Sequence, residues 1–144
     1  KPRKPTKEEH MGQQQLLLII LGTIIVAIAI VVGINMMGSA SEQANLDAVR
    51  VDLMSIGTSA QGWYSKPTMM QGGGNSFQGI EFTKFSFPAD SVASDGSWAE
   101  NQNARYTIDA GNSNATQFVV DADPAQSDST LSVTVTQGNV AISQ

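Results

Sequence analysis

The chain has 144 residues, 41% of them apolar, with eight Lys and Arg against thirteen Asp and Glu and no cysteine. That length holds one modest domain plus one special segment. Disulfides, thiolate chemistry and cysteine-bound metals are excluded, and the acidic balance argues against a nucleic-acid partner, which needs a basic face.

Lys1 to His10 is polar, carries Pro2 and Pro5, and holds four of the eight bases, Lys1, Arg3, Lys4 and Lys7. It is expected to be an irregular basic leader, with Met11 as an alternative start. From Leu16 to Ile34 there follow nineteen uncharged residues interrupted only by Gly22, Thr23 and Gly33. As a helix at about 1.5 Å per residue this block is roughly 28 Å long, close to the hydrocarbon thickness of a bilayer. A buried helix of a soluble domain would need more apolar surroundings than the short polar elements downstream supply. A removable secretory signal has an apolar core of about 7–15 residues, shorter than this block. The reading is a retained membrane-spanning helix. After Gly12 the charge is four bases against eleven acids, net −7. Bases stay on the cytoplasmic side, so the leader is expected inside and the acidic body outside.

Ser39 with Glu42 forms an S-x-x-E pattern that could cap a new helix. Leu46, Val49, Leu53, Ile56, Ala60 and Trp63 then recur at spacings of three and four, with Asp47, Arg50, Asp52, Ser55 and Ser59 on the other side. No proline lies between Thr6 and Lys66. The pattern predicts one long helix over about 14–64, weakened at most near Gly33 to Gly38. Lys66 to Gly79 is rich in turn formers. Ile80–Phe87, Arg105–Ala110, Thr116–Ala122, Leu131–Thr136 and Asn139–Ser143 read as short strands, the first with a bulge at Lys84. The expected fold class is α+β, a long helix whose amphipathic half packs on a small antiparallel sheet. The expected organisation is a leader over 1–12, an apolar helix over 13–38, an amphipathic helix over 39–64 and a β-rich head over 65–144.

A basic leader ending in glycine, an uncharged helix directly after it, an amphipathic continuation and a C-terminal sheet together resemble the type IV pilin and pseudopilin family. In sequence the resemblance centres on Gly12 to Met37. It implies that a membrane prepilin peptidase cuts after Gly12, leaving Gln13 as the first mature residue, often methylated at its amino group in relatives. It also implies that the helix first anchors the subunit in the cytoplasmic membrane and then packs in the core of an extracellular helical filament, a homo-oligomer raised by a pilus assembly machinery. Bacterial members place a Glu five residues into the mature chain, where this chain has Leu17, and no charge lies between Gly12 and Glu42. Only the amides of Gln13, Gln14 and Gln15 could set a register there.

The expected function is therefore that of a structural pilus subunit, with a secretion-system pseudopilin or a single-pass anchored binding module as alternatives. The expected assembly core is Leu16, Leu17, Leu18, Gly22, Ile25, Ala29 and Gly33, and the head attaches through Leu46, Val49, Leu53, Ile56 and Trp63. Gly22 and Gly33, eleven residues or about three turns apart, share a helix face expected to make the closest contact. No catalysis and no cofactor are expected, since the single histidine, His10, lies in the leader. Asp121, Asp123 and Asp128 read as a solvated loop, and DADPAQSDS departs from a calcium-loop pattern at Ala125 and Gln126. Asn114 in Asn-Ala-Thr is an N-glycosylation acceptor triplet. All nine aromatics lie at or after Trp63, so electron transport along stacked core aromatics is disfavoured. Trp63 and Tyr64 are expected to pack on Phe82, Phe85, Phe87 or Trp98.

Overall fold

The computed structural model describes residues 1–4 and 7–144, with every side chain among them except that of Glu9. Pro5 and Thr6, part of the expected leader, lie outside the described residues. The chain divides into two compact units, Lys1–Ala40 and Ser41–Gln144; the second is called the head below. The residues Lys7–Ser65 form one helix, α1. A 3-10 turn at Thr68–Met70 follows, and then six strands: β1 (Ser91–Val92), β2 (Trp98–Glu100), β3 (Ala104–Ile108), β4 (Gln117–Pro124), β5 (Leu131–Thr136) and β6 (Val140–Ser143). They form one antiparallel meander in sequence order, so the fold is α+β.

The helix begins seven residues earlier than the periodicity predicts. Lys7 to His10, expected to be irregular, is helical. Those residues include no breaker, and acids in a first turn suit the positive end of the helix dipole. The residues around Gly33 to Gly38 also stay helical, because a single glycine costs only about 1 kcal/mol in a helix and no proline is present. Ser39 accordingly caps nothing. The neighbouring polar residues serve the head instead, the Ser41 hydroxyl bonding the Gln126 side chain and Glu42 accepting from Ser127 Oγ.

Within the head, the stripe Leu46, Val49, Leu53, Ile56, Ala60 and Trp63 is buried as its spacing predicts. It meets the inner face of the sheet, which is built in cross-strand rows. One row is Ala99, Tyr106, Ala122 and Leu131; the next is Ile108, Val120, Val133 and Ile142; a third is Phe118, Val135 and Val140. Along β5, Leu131, Val133 and Val135 are buried and Ser132, Thr134 and Thr136 half-buried, the period of two expected of a sheet with one wet face. Ala99 and Ala122 flank the large Tyr106 ring and leave it room.

Ile80–Phe87 is not a strand. Ile80 N–H donates to Phe77 O and Lys84 N–H to Glu81 O, so the segment turns on itself, and Phe82 N–H donates to Gly96 O. The turns bury Ile80 and Phe82 and half-bury Phe85 and Phe87: Phe82 packs on Phe85 and Phe87, Phe85 on Phe118, and Phe87 on Tyr106. The three-residue step from Phe82 to Phe85 is incompatible with a pleat and compatible with a turn. The two first strands are instead short and lack apolar alternation. At the helix end Trp63 and Tyr64 share one core with Phe82, against which Phe85 and Phe87 pack, whereas Trp98 stands outside it. Tyr64 stacks on Phe77 at 4.5 Å, and Trp98 lies half-buried under the Arg105 guanidinium, 4.4 Å from its ring centre.

The glycine-rich connector closes the helix end. Gly73 N–H donates to Trp63 O, Gly74 N–H to Lys66 O and Asn75 N–H to Tyr64 O, which satisfies carbonyls that a helix terminus leaves open. A Cβ on Gly73 would lie 2.5 Å from the Trp63 ring, so the turn needs glycine there. Gly57 marks another close approach, since a Cβ on it would lie 2.6 Å from Val140 Cγ1. Gly57→Val is expected to lower head stability by about 1–3 kcal/mol through overpacking, and Val140→Ala to restore most of it. Denaturant melts of the detergent-solubilised single and double variants check this, and purely additive effects would refute the contact.

Candidate functional site

The first unit carries the largest unpartnered feature of the chain. Every large side chain from Leu16 to Ile34 is between 49% (Val32) and 67% (Leu18) exposed. α1 is long and apolar enough to cross a membrane. The one hydroxyl between Leu16 and Ile34 is satisfied within the helix, because Thr23 Oγ1 donates to Ile20 O at 2.8 Å. The segment therefore presents no unpaired polar side chain. Leu16, Leu17, Leu18, Ile25 and Ala29 are exposed around its circumference. At Gly22 and Gly33 a Cβ would meet nothing within 4 Å. Ile19, Thr23, Val26 and Ile30 surround Gly22 in a shallow apolar depression. Gly12 and Gln13 lie inside α1 and are exposed.

In the head, the expected attachment residues Leu46, Val49, Leu53, Ile56 and Trp63 come together in one core. A residue assigned to the solvent side joins them. Asp52 is half-buried, and its Oδ2 accepts from Tyr106 Oη at 2.7 Å, Asn103 Nδ2 at 2.8 Å and Asn101 Nδ2 at 2.9 Å. Ser59, also assigned outward, donates to Ser86 O. Both stand beside the stripe, one position from Leu53 and Ala60, where a polar side chain reaches the sheet margin. Charge-assisted bonds of this kind are stronger than neutral ones, so Asp52 fixes the rotation of the helix on the sheet. Asn45 adds a second tie, its Nδ2 donating to Asn103 O and its Oδ1 accepting from Gln126 N–H.

Burial, and then the Asp52 carboxylate, push the Tyr106 phenol well above its usual range. Asp121 is raised by burial and by Asp109, whereas the Asn112 side chain holds Asp109 below the usual carboxylate range. Asp121 and Asp123 point from β4 to the outer face, and among the described residues no three acidic or histidine side chains gather to hold a metal. The Trp63 indole N–H is buried and has no hydrogen-bond partner among the described residues. Trp63, Lys66, Met70, Thr83 and Lys84 line an open hollow of about 350 Å³ beside it. Asn114 is exposed in the β3–β4 loop.

Comparison with protein-family models, with curated proteins and with solved structures finds no match to this chain.

Asp52→Ala leaves three donors without their acceptor and is expected to cost about 1–3 kcal/mol of head stability. Tyr106 gives the pH signature. An unfolded phenol ionises near pH ~10 and the folded one higher, so its contribution is whole below about pH 10 and is lost as the unfolded state sheds its proton above that. Stability should fall with rising alkalinity, and Tyr106→Phe should flatten that limb while lowering stability at neutral pH. Equal alkaline slopes in the two proteins would remove Tyr106 from the account.

Proposed function

We propose that the chain is a pilin-like structural subunit, anchored by the Leu16–Ile34 helix with its leader in the cytoplasm and later assembled through that helix into an extracellular filament. The observation that carries this reading is the exposure of a nineteen-residue uncharged helical surface on all sides, whereas the apolar stripe of the head's own helix stretch is buried within the head. Lipid tails and copies of the same helix are equally dry, so transfer from one to the other changes little hydrophobic free energy. The same segment can serve as anchor and as filament core. The order of parts and the Gly12–Gln13 junction add the resemblance to type IV pilins. In the proposed processing, a prepilin peptidase removes Lys1–Gly12. Because that junction is helical, the peptidase would have to unwind about one turn to reach the bond.

A pseudopilin of a secretion machine would share the processing and form only a short rod. An anchored binding module is favoured by a different observation, the open hollow lined by Trp63, Lys66 and Lys84. That module would keep its leader.

The test is intact mass and N-terminal sequencing of the protein from sheared cell-surface material. A chain beginning at Gln13 in sedimenting filaments is expected. Retention of Lys1–Gly12 in the membrane fraction would leave only an anchor. Gly22→Leu is expected to abolish filaments while membrane insertion persists, and normal filaments from that variant would discard the glycine face as the close contact.

A further inference from the structure

We propose that Asn114 is a glycan-attachment site, its side-chain amide arranged by the β3–β4 loop to accept an oligosaccharide. Asn-Ala-Thr at 114–116 is the one Asn-x-Ser/Thr triplet in the sequence, but a triplet alone says nothing of accessibility. The geometry does. Asn114 Oδ1 accepts three hydrogen bonds, from Thr116 Oγ1 at 2.8 Å, Thr116 N–H at 2.9 Å and Gln117 N–H at 3.1 Å. Its Nδ2 has no partner among the described residues, and the residue is exposed.

Four of the six other asparagines of the head are tied differently. Asn112 Nδ2 donates to Asp109, those of Asn101 and Asn103 to Asp52, and that of Asn45 to Asn103 O. In each the nitrogen is engaged. At Asn114 the oxygen is engaged and the nitrogen is left open.

That distinction matters chemically. An amide nitrogen is a poor nucleophile because its lone pair is shared with the carbonyl. When a base of the transferase takes its proton ahead of bond formation, negative charge spreads onto the amide oxygen. Three donors already placed at 2.8–3.1 Å from Oδ1 stabilise that charge without reorganising, as donors in an oxyanion hole do. The Thr116 hydroxyl is one of the three, which gives the third residue of the triplet a direct role.

The loop holds this arrangement firmly. Asn114 N–H donates to Gln117 O at 2.8 Å, and Ala115 O accepts from Phe77 N–H at 3.0 Å. Beside the side chain lies an open hollow of about 480 Å³, with Ile80 and Ile108 among its walls, against which a first sugar ring can rest.

The reaction is group transfer without redox change. The donor is an oligosaccharide joined through its anomeric carbon to a polyprenyl phosphate or pyrophosphate, presented by a transferase. Nδ2 forms a bond to the anomeric carbon, the carbon–oxygen bond to phosphate breaks, the phosphate leaves with the bonding pair, and a base of the transferase takes the Nδ2 proton. The proposal rests on the exported-head reading only for the side of the membrane.

The full chain purified from cells that naturally produce it should be digested and the Asn114 peptide weighed. A saccharide on most copies is expected, lost in Asn114→Gln and in Thr116→Ala and retained in Thr116→Ser. Thermal melts of the variants show whether the head still folds; loss of sugar from a folded Thr116→Ala chain assigns the effect to the triplet. A bare Asn114 peptide in native material, or a mass increment that survives Asn114→Gln, would overturn the proposal. The outcomes separate from those of the filament reading. Sugar on a membrane-bound chain that retains its leader would keep this site and end the filament, whereas bare Asn114 in filaments beginning at Gln13 would do the reverse.

Discussion

The whole arrangement depends on where nineteen consecutive uncharged residues find a dry environment. At roughly 25 cal/mol per Å² of apolar surface removed from water, large side chains that are 49% to 67% exposed from Leu16 to Ile34 leave a large driving force toward burial. The head cannot supply the cover. Its sheet has one apolar face, and Leu46, Val49, Leu53, Ile56, Ala60 and Trp63 already occupy it. The proposed reading supplies the cover from membrane or from like helices.

The head solves a different problem, that of holding a small domain together without disulfides. Its core is layered from large rings and small gaps, Tyr106 between Ala99 and Ala122, and Phe77 between Tyr64 and Phe118. Apolar packing alone would let a helix slide or rotate on a sheet, because burial is non-directional. The Asp52 carboxylate with its three donors and the Asn45 tie to the β4–β5 turn supply direction. Gly57 against Val140 supplies distance, letting the helix approach β6 more closely than any side chain would permit.

Much of this was legible in the residues. The three-and-four spacing from Leu46 to Trp63 marked the buried helix face correctly, because a single stripe with polar flanks has one packing solution. Strands β5 and β6 and most of β3 and β4 followed from apolar alternation between turn formers. Ile80–Phe87 misled because three phenylalanines near period two satisfy a strand template whether a pleat or a set of turns buries them. β1 and β2 left little trace, being two and three residues long and held by ladder bonds rather than by a pattern of side chains. Asp52 could not be recognised from periodicity, which sorts residues by polarity and assigns every carboxylate to solvent. Its partners Asn101, Asn103 and Tyr106 stand about fifty residues away, a separation that no local window reads.

The assembly reading then faces a question of register. A helix uniformly apolar from Leu16 to Ile34 packs against its copies at many axial offsets with similar burial, so apolar area alone selects no single arrangement. Two features can break that degeneracy. Gln13, Gln14 and Gln15 can exchange neutral hydrogen bonds, each worth about 0.5–1.5 kcal/mol net, and the small faces at Gly22 and Gly33 admit close approach at only a few offsets. The heads act against both, since the chain beyond Gly12 carries a net charge of −7 and like-charged bodies repel. At physiological ionic strength that repulsion fades beyond about 8 Å, so it resists crowding of neighbouring heads while hardly touching helices packed in a dry core. Register in such a filament would be a compromise between glycine-guided contact inside and charge spacing outside, with no ion pair at the amino terminus required.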